Sequence, residues 1–356
     1  MRSPTSTSVA ALSMLALASL PGERSAYPTE MISQQGPPAA GEVNRTHTEE
    51  LDDDKLEPTF LRHEIISRDI TRDTLLRRGT TYVVEGEVHV RTGVTLRVED
   101  DVTILLRNGY RPMRAIDTSA LVFDSGSRLE AQKIVFGSAD ESGNKVTNAL
   151  NGGVYFCGSY RTATTDGISS EAGSPPSLFK ASCIIADHIG RPDPREGDGD
   201  ENVCDDIDAV SIIGVGRDEW RIATVESICS GDDGIDITNS SIELDTVVVM
   251  APTEDGINVT SSSITVRKNC TVLMSRSDTV DREIFDFEID NGPVHLAMPQ
   301  GALVTFSGHW GNRADDALVM SHDMPRPPEL GAPNTFYEFS GPLSKGPLRV
   351  DSNTTD

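Results

Sequence analysis

The stretch from Ser230 to Met274 says the same thing twice, and this limits what the chain can fold into. Asp233-Gly234-Ile235-Asp236-Ile237 returns 22 residues later as Asp255-Gly256-Ile257-Asn258-Val259. At that offset Ile242 falls on Ile264, Leu244 on Val266, Val248 on Cys270 and Met250 on Val272. Apolar and polar residues alternate within each copy, which is the period of a strand and not of a helix. A period of roughly 20 to 25 residues built from short strands and turns marks a β-solenoid. One coil of a solenoid cannot bury its own apolar face, so neighbours must stack. Stacking at about 4.8 Å sets Ile235 over Ile257 and Ile242 over Ile264. Those aliphatic columns are the expected core.

The chain on either side reads as further coils. Order is expected from near Phe60, where Tyr82, Val84, Val88, Val90, Val94, Leu96 and Val98 fall at strand spacing and Gly79, Gly86 and Gly93 mark turns. Short apolar runs follow, interrupted by insertions at 140–149 and 191–206. After Met274 the repeat loosens through Phe285, Phe287, Ile289, Val304 and Phe306, and final coils are expected to about Met320. A Pro-rich segment, 321–356, ends the chain, and its TFYEFSG run is read as a strand laid over the open end. A terminal coil needs such a cap because its edge is unpaired.

Composition narrows the function classes. The chain has 356 residues, 5% of them aromatic, with 30 Gly and 20 Pro, which suits many turns around a core of small aliphatics. A formal charge of −25 argues against nucleic acid and favours divalent cations as partners. No apolar run approaches the ~20 residues that span a bilayer. Residues 1–18 read as a secretory signal peptide, with Arg2, an apolar run from Val9 to Leu17, and Ala16-Leu17-Ala18 for cleavage. Residues 19–59 are acidic and Pro-rich and are expected to be a disordered leader.

Several runs then carry a resemblance. Ile70 to Val98 is similar to the opening pattern "IT-x-DT … G-x-x-YVL-x-G-x-V-x-V-x-x-G-x-TL-x-I". Gly152-Gly153-Val154-Tyr155 resembles a Gly-Gly-Ile-Val motif. Ile212-Ile213-Gly214-Val215-Gly216 and Ser230-Gly231-Asp232-Asp233-Gly234-Ile235 resemble a later "L-x-x-GGVG … SGDDGF" coil. On these residues, about 65–275, the chain resembles right-handed parallel β-helix proteins of the pectin-lyase-like superfamily. Within it, the chain is most similar to a poorly characterised group of secreted bacterial β-helix proteins. Glu99-Asp100-Asp101 departs from that group's usual Pro-Gly turn. The resemblance implies an all-β fold, a right-handed parallel β-helix over residues 60–320. It implies no shared activity.

The candidate chemistry is acidic. Asp-small-aliphatic recurs at Asp166, Asp208, Asp233, Asp255 and Asp316. Stacked coils would put Asp208, Asp233 and Asp255 on one edge, with Asp232 and Glu254 beside them. Three readings stay open. Asp-Gly is ordinary turn chemistry, with Asp accepting local N–H groups and Gly at positive φ. Alternatively Asp206, Asp208, Asp233, Glu254 and Asp255 hold a cation, with Ca2+ the candidate. In the third, Asp208, Asp232 and Asp233 are catalytic, since Gly231-Asp232-Asp233-x-Ile resembles the G-D-D-x-I coil of polygalacturonase-type glycoside hydrolases. Asp206-Ile207-Asp208 then stands where that family has N-T-D, and Glu254-Asp255-Gly256 where it has G-H-G. The family's His is therefore replaced by Asp255, and no Arg-x-Lys follows to grip sugar carboxylates.

Other motifs fail. Asp198-x-Asp200-x-Asn202 starts like a calcium loop, but Val203 and Ala209 occupy the positions that need Gly and Glu. The seven His have no ligand spacing, and neither a phosphate loop nor a Gly-x-Ser-x-Gly elbow occurs. Cys157, Cys183, Cys204 and Cys229 lie 26, 21 and 25 residues apart, about one coil each. That spacing allows a Cys183–Cys204 disulfide or a ladder of free thiols, with Cys270 as core packing. Sequons stand at Asn44, Asn239, Asn258, Asn269 and Asn353. The expected function is a secreted or cell-surface, non-catalytic protein engaging extracellular polysaccharide or matrix. The competing expectation is a polysaccharide hydrolase or lyase.

Overall fold

Alternating apolar residues that return every 22 positions form strands only if the next copy supplies backbone partners, and here it does. The computed structural model describes residues 62–107, 119–147, 151–165, 167–191, 207–275, 282–310, 318–320 and 336–352. The segments 1–18 and 19–59, Asp166, the acidic 198–202 run, Cys204, Asp206, Asp316, Asn44 and Asn353 lie outside them. Among the described residues the elements are strands, and most pairings are parallel.

One sheet holds seven parallel strands in chain order: Glu87–Val90, Ala120–Phe123, Val154–Cys157, Val210–Ile213, Ile235–Thr238, Ile257–Thr260 and Phe285–Glu288. A larger sheet takes the longer strands between them, such as Leu178–Asp187, Trp220–Ile228, Ser241–Met250 and Ser263–Leu273, and a third sheet is the two-stranded pair Thr164–Thr165 and Ile168–Ser169. The last two strands, Tyr337–Pro342 and Leu348–Ser352, pair antiparallel with Leu303–Gly308 and His295–Met298.

The expected register holds through the first half of the repeat. Ile235 pairs with Ile257, Ile242 with Ile264 and Leu244 with Val266, and all six are buried. Between Leu244 and Thr246 the register shifts. Val247, not Val248, then pairs with Cys270, and Val249, not Met250, with Val272. The later strand has one residue more at its bend, Arg267-Lys268 against Asp245, and a β-bulge absorbs it. Inward alternation therefore survives, with Val247 and Val249 buried and Val248 and Met250 half-buried.

Tyr82, Val84, Val88, Val90, Val94, Leu96 and Val98 are all buried, as their spacing predicts. Full burial of one such aliphatic side chain contributes roughly 1.5–3 kcal/mol. The core is less uniformly aliphatic than composition suggests. Eight of its rings form two clusters: Phe123, Phe156, Phe179 and Trp220 at one level, and Phe285, Phe287, Phe306 and Trp310 at another. Phe123 stacks on Phe156 with centroids 5.0 Å apart.

Among the described cysteines no ladder forms. Cys157 pairs with Ile213, Cys183 with Thr224 and Lys133, and Cys270 with Val247 and Val304. Insertions of unequal length between strands break the even spacing that the sequence numbers suggest. The four described cysteines are free thiols. Burial pushes Cys157 and Cys270 far up, and pushes the half-buried Cys183 up to about 11.

Candidate functional site: an acidic edge

Asp208, Asp232 and Asp233 stand just before two adjacent strands of the seven-stranded sheet, Val210–Ile213 and Ile235–Thr238. Three glycines let the backbones close in there. A β-carbon on Gly153 would meet the Asp208 carbonyl oxygen at 2.3 Å, and one on Gly231 would meet the Gly190 carbonyl oxygen at 2.4 Å. One on Gly234 would meet the Gly256 carbonyl oxygen at 2.6 Å. The Gly231 N–H donates to the Ile189 carbonyl at 2.9 Å, which fixes the start of the Asp232-Asp233 turn.

These contacts revise the turn reading of Asp-Gly. Gly234 and Gly256 are needed for close approach between stacked backbones, not for positive φ. The left-handed positions fall instead on Asn239 and Ser261, both at φ 49°, and on Cys229 and Ala251 at φ 53° and 52°. Asn239 is buried in such a corner, and its N–H donates to the Thr260 carbonyl at 2.8 Å.

The aspartates connect successive segments of the chain. The Asp255 N–H donates to Asp233 Oδ1 at 2.8 Å, and the Glu283 N–H donates to Asp255 Oδ1 at 2.5 Å. Asp208 Oδ2 accepts the Ser211 hydroxyl at 3.0 Å. One carboxylate oxygen from each of Asp208, Asp232 and Asp233 lies within 4.8 Å of the other two. All three residues are buried, at 6%, 5% and 6% exposure. Of the other acids named from the sequence, Asp255 is buried and stacks on Asp233, Glu254 is half-buried, and Asp206 is outside the described residues.

Three further acids join the edge that spacing alone did not single out: Asp236, Glu283 and Asp286, all buried. Asp236 pairs across the sheet with Asn258, and Asn258 with Asp286, so they form a second column beside the first. Its signal was available, since Asp236 and Asn258 occupy one repeat position, but Asp286 lies 28 residues on and escapes a 22-residue offset. Thr238 Oγ1 donates to Asp236 Oδ1 at 2.9 Å.

Crowding sets the electrostatics. Burial, then the charges of Glu254, Asp236 and Asp286, pushes the Asp233 carboxyl well above the usual carboxylate range, against the Asp255 N–H. Burial, then Asp233 and Asp286, does the same to Asp255.

Comparison with models of known protein families finds no match, and comparisons with curated proteins and with solved structures find none either. The chemistry must be argued from the site.

An all-oxygen set suits a hard cation better than zinc or copper. Calcium holds oxygens at about 2.3–2.6 Å, so ligands on opposite sides of one ion lie up to roughly 5 Å apart. The Asp208–Asp232–Asp233 spread fits that sphere. It is tighter than the ~6.5–9.5 Å that leaves room for water between the carboxyls of an inverting glycosidase.

Proposed function

We propose that this chain is a right-handed parallel β-helix whose acidic edge holds a calcium ion, and that it is a secreted or cell-surface protein engaging extracellular polysaccharide or matrix without cleaving it. One observation carries the cation reading: three buried carboxylates from adjacent strands converge within 4.8 Å. Asp208, Asp232 and Asp233 are the ligands, with Asp255 and Glu254 adjoining, and Asp206 is proposed from its sequence position alone. A cation there offsets the burial and the like-charge repulsion that otherwise favour the protonated forms of Asp233 and Asp255. The β-helix reading is supported by parallel strands that return in register along both large sheets. Titration calorimetry with calcium tests the site. Saturable binding near one ion per chain, lost in Asp232→Asn, is expected; heats no different from buffer overturn it.

The hydrolase or lyase reading is favoured by one observation, the raised affinity of Asp233 for a proton, which is the state a general acid needs. Screening plant and algal polysaccharides for reducing ends and unsaturated products, with and without calcium, separates the two. Products that vanish in Asp232→Asn would establish the enzyme, and binding without products supports the first reading.

A further inference from the structure

Two clefts lie next to one another on the bend of the larger sheet. Neither is bordered by the acids of the proposed cation site. The first, of about 620 Å³, has Arg78, Glu99, Asp100, Glu130 and Lys180 as its charged walls over Val98 and Ala131. The second, of about 460 Å³, has Arg217, Asp218, Arg221, Glu243, Asp245 and Arg267 over Ile222, Ala223 and Leu244. Register joins them. Glu130 pairs with Lys180, and Lys180 with Arg221, so a wall of one cleft is the strand neighbour of a wall of the other. Neighbouring strands are about 4.8 Å apart, and the two clefts are successive lengths of one groove running across the strands.

Local sequence explains the groove. The strands bend where the pairing of Leu178–Asp187 passes from Arg128–Ala131 to Lys133–Ala139, and there the Ser182 N–H donates to the Gln132 carbonyl at 2.9 Å. Long charged side chains flank the bend on these strands.

The charge balance selects the ligand class. The walls carry five bases and six acids, close to neutral in a chain of net charge −25. A polyanion would meet six carboxylates, and a polycation five basic groups. A neutral polyhydroxylated chain suits both, because each hydroxyl can donate to a carboxylate and accept from a guanidinium or ammonium. The ion pairs here are exposed, such as Arg221–Asp218 at 3.4 Å and Arg97–Glu130 at 3.0 Å. Pairs of that kind contribute about 0–1 kcal/mol, so a ligand can displace them at little cost.

We propose that this groove binds a neutral polysaccharide chain laid across the strands. The inference rests on the polysaccharide reading above and is independent of the cation site. The test is affinity electrophoresis of the full chain in gels containing soluble glucan, mannan or galactan, with polygalacturonate as the anionic control. Retardation by at least one neutral polymer is expected. Lys180→Ala/Arg221→Ala should weaken it at least tenfold with an unchanged melting temperature. No retardation in any gel overturns the groove together with the polysaccharide reading. Retardation by polygalacturonate alone, or equal retardation of the groove variant, overturns the groove and leaves that reading standing.

Discussion

Gly234→Ala probes the stacked geometry that everything else depends on. A β-carbon there would stand 2.4 Å from Val249 Cγ1 and 2.6 Å from the Gly256 carbonyl oxygen. The valine can turn aside at about 0.5–1.5 kcal/mol for an off-rotamer side chain. The carbonyl has less freedom, because the Gly256 N–H is bonded to the Glu283 carbonyl at 2.8 Å and the Gly234 N–H to the Asp255 carbonyl at 2.9 Å. Overpacking that shifts backbone typically costs about 1–3 kcal/mol. Lower entropy of the unfolded chain returns about 0.4–1 kcal/mol. These terms net to a loss of about 0.5–4 kcal/mol, centred near 2, in urea unfolding at constant m-value. Adding Val249→Ala removes the methyl conflict but not the carbonyl one, so it should not restore wild-type stability. At Gly79 a β-carbon meets nothing within 4 Å, and only its φ of 73° opposes alanine, at about 1–2 kcal/mol. A Gly234→Ala protein within ~0.5 kcal/mol of wild type, inside the range of ordinary surface changes, would mean the strands do not approach as described.

Three further outcomes are expected. Ile235→Asp or Leu244→Asp should unfold the protein, since each puts a charge into a fully buried column at several kcal/mol; unchanged melting of either would reverse the inward assignment. Under native conditions a thiol reagent should reach Cys183 and Cys229 but not the buried Cys157 and Cys270, and mass analysis of labelled peptides would expose a different order. Burial lowers the proton affinity of His89, but hydrogen bonds to Asp124 and Glu87, both at 2.6 Å, outweigh it and raise its pKa to about 9. The rise from 6.5 is worth roughly 3 kcal/mol, cut by solvent screening to about 1–2 kcal/mol. That stability is present below pH 6.5 and lost as pH rises through 9, so His89→Gln should flatten the alkaline fall of the melting temperature; an unchanged fall would assign it to another group.

The sequence shows the period, the strand alternation and the first half of the register, because one residue type must sit above its like for a column to be dry. It does not show the bulge at Asp245, since the extra residue shifts partners without breaking alternation. Asp-Gly reads as a turn from composition, yet Gly234 is there to admit the neighbouring backbone, a constraint between chain segments that no local pattern carries. Asp208, Asp232 and Asp233 were legible as neighbours from the repeat. Asp286 was hidden by an irregular offset, 28 residues from Asn258 instead of 22. His89 was hidden because its partners are acids at 2 and 35 residues' distance, a pattern that metal-ligand spacing does not seek.

The most direct test of the acidic edge is a melting curve with and without calcium. Asp233 holds its proton more tightly when folded. Its contribution to stability is therefore full below about pH 3.8 and is lost as pH rises through the raised value. At neutral pH the metal-free protein carries that loss, and calcium should reverse it by about 2.7 kcal/mol at a hundredfold excess over Kd, or roughly 5 °C for a chain of this size. The account predicts that rise, its reversal by chelator, and its absence in Asp233→Asn. No shift in the wild type, or the same shift in Asp233→Asn, would contradict it.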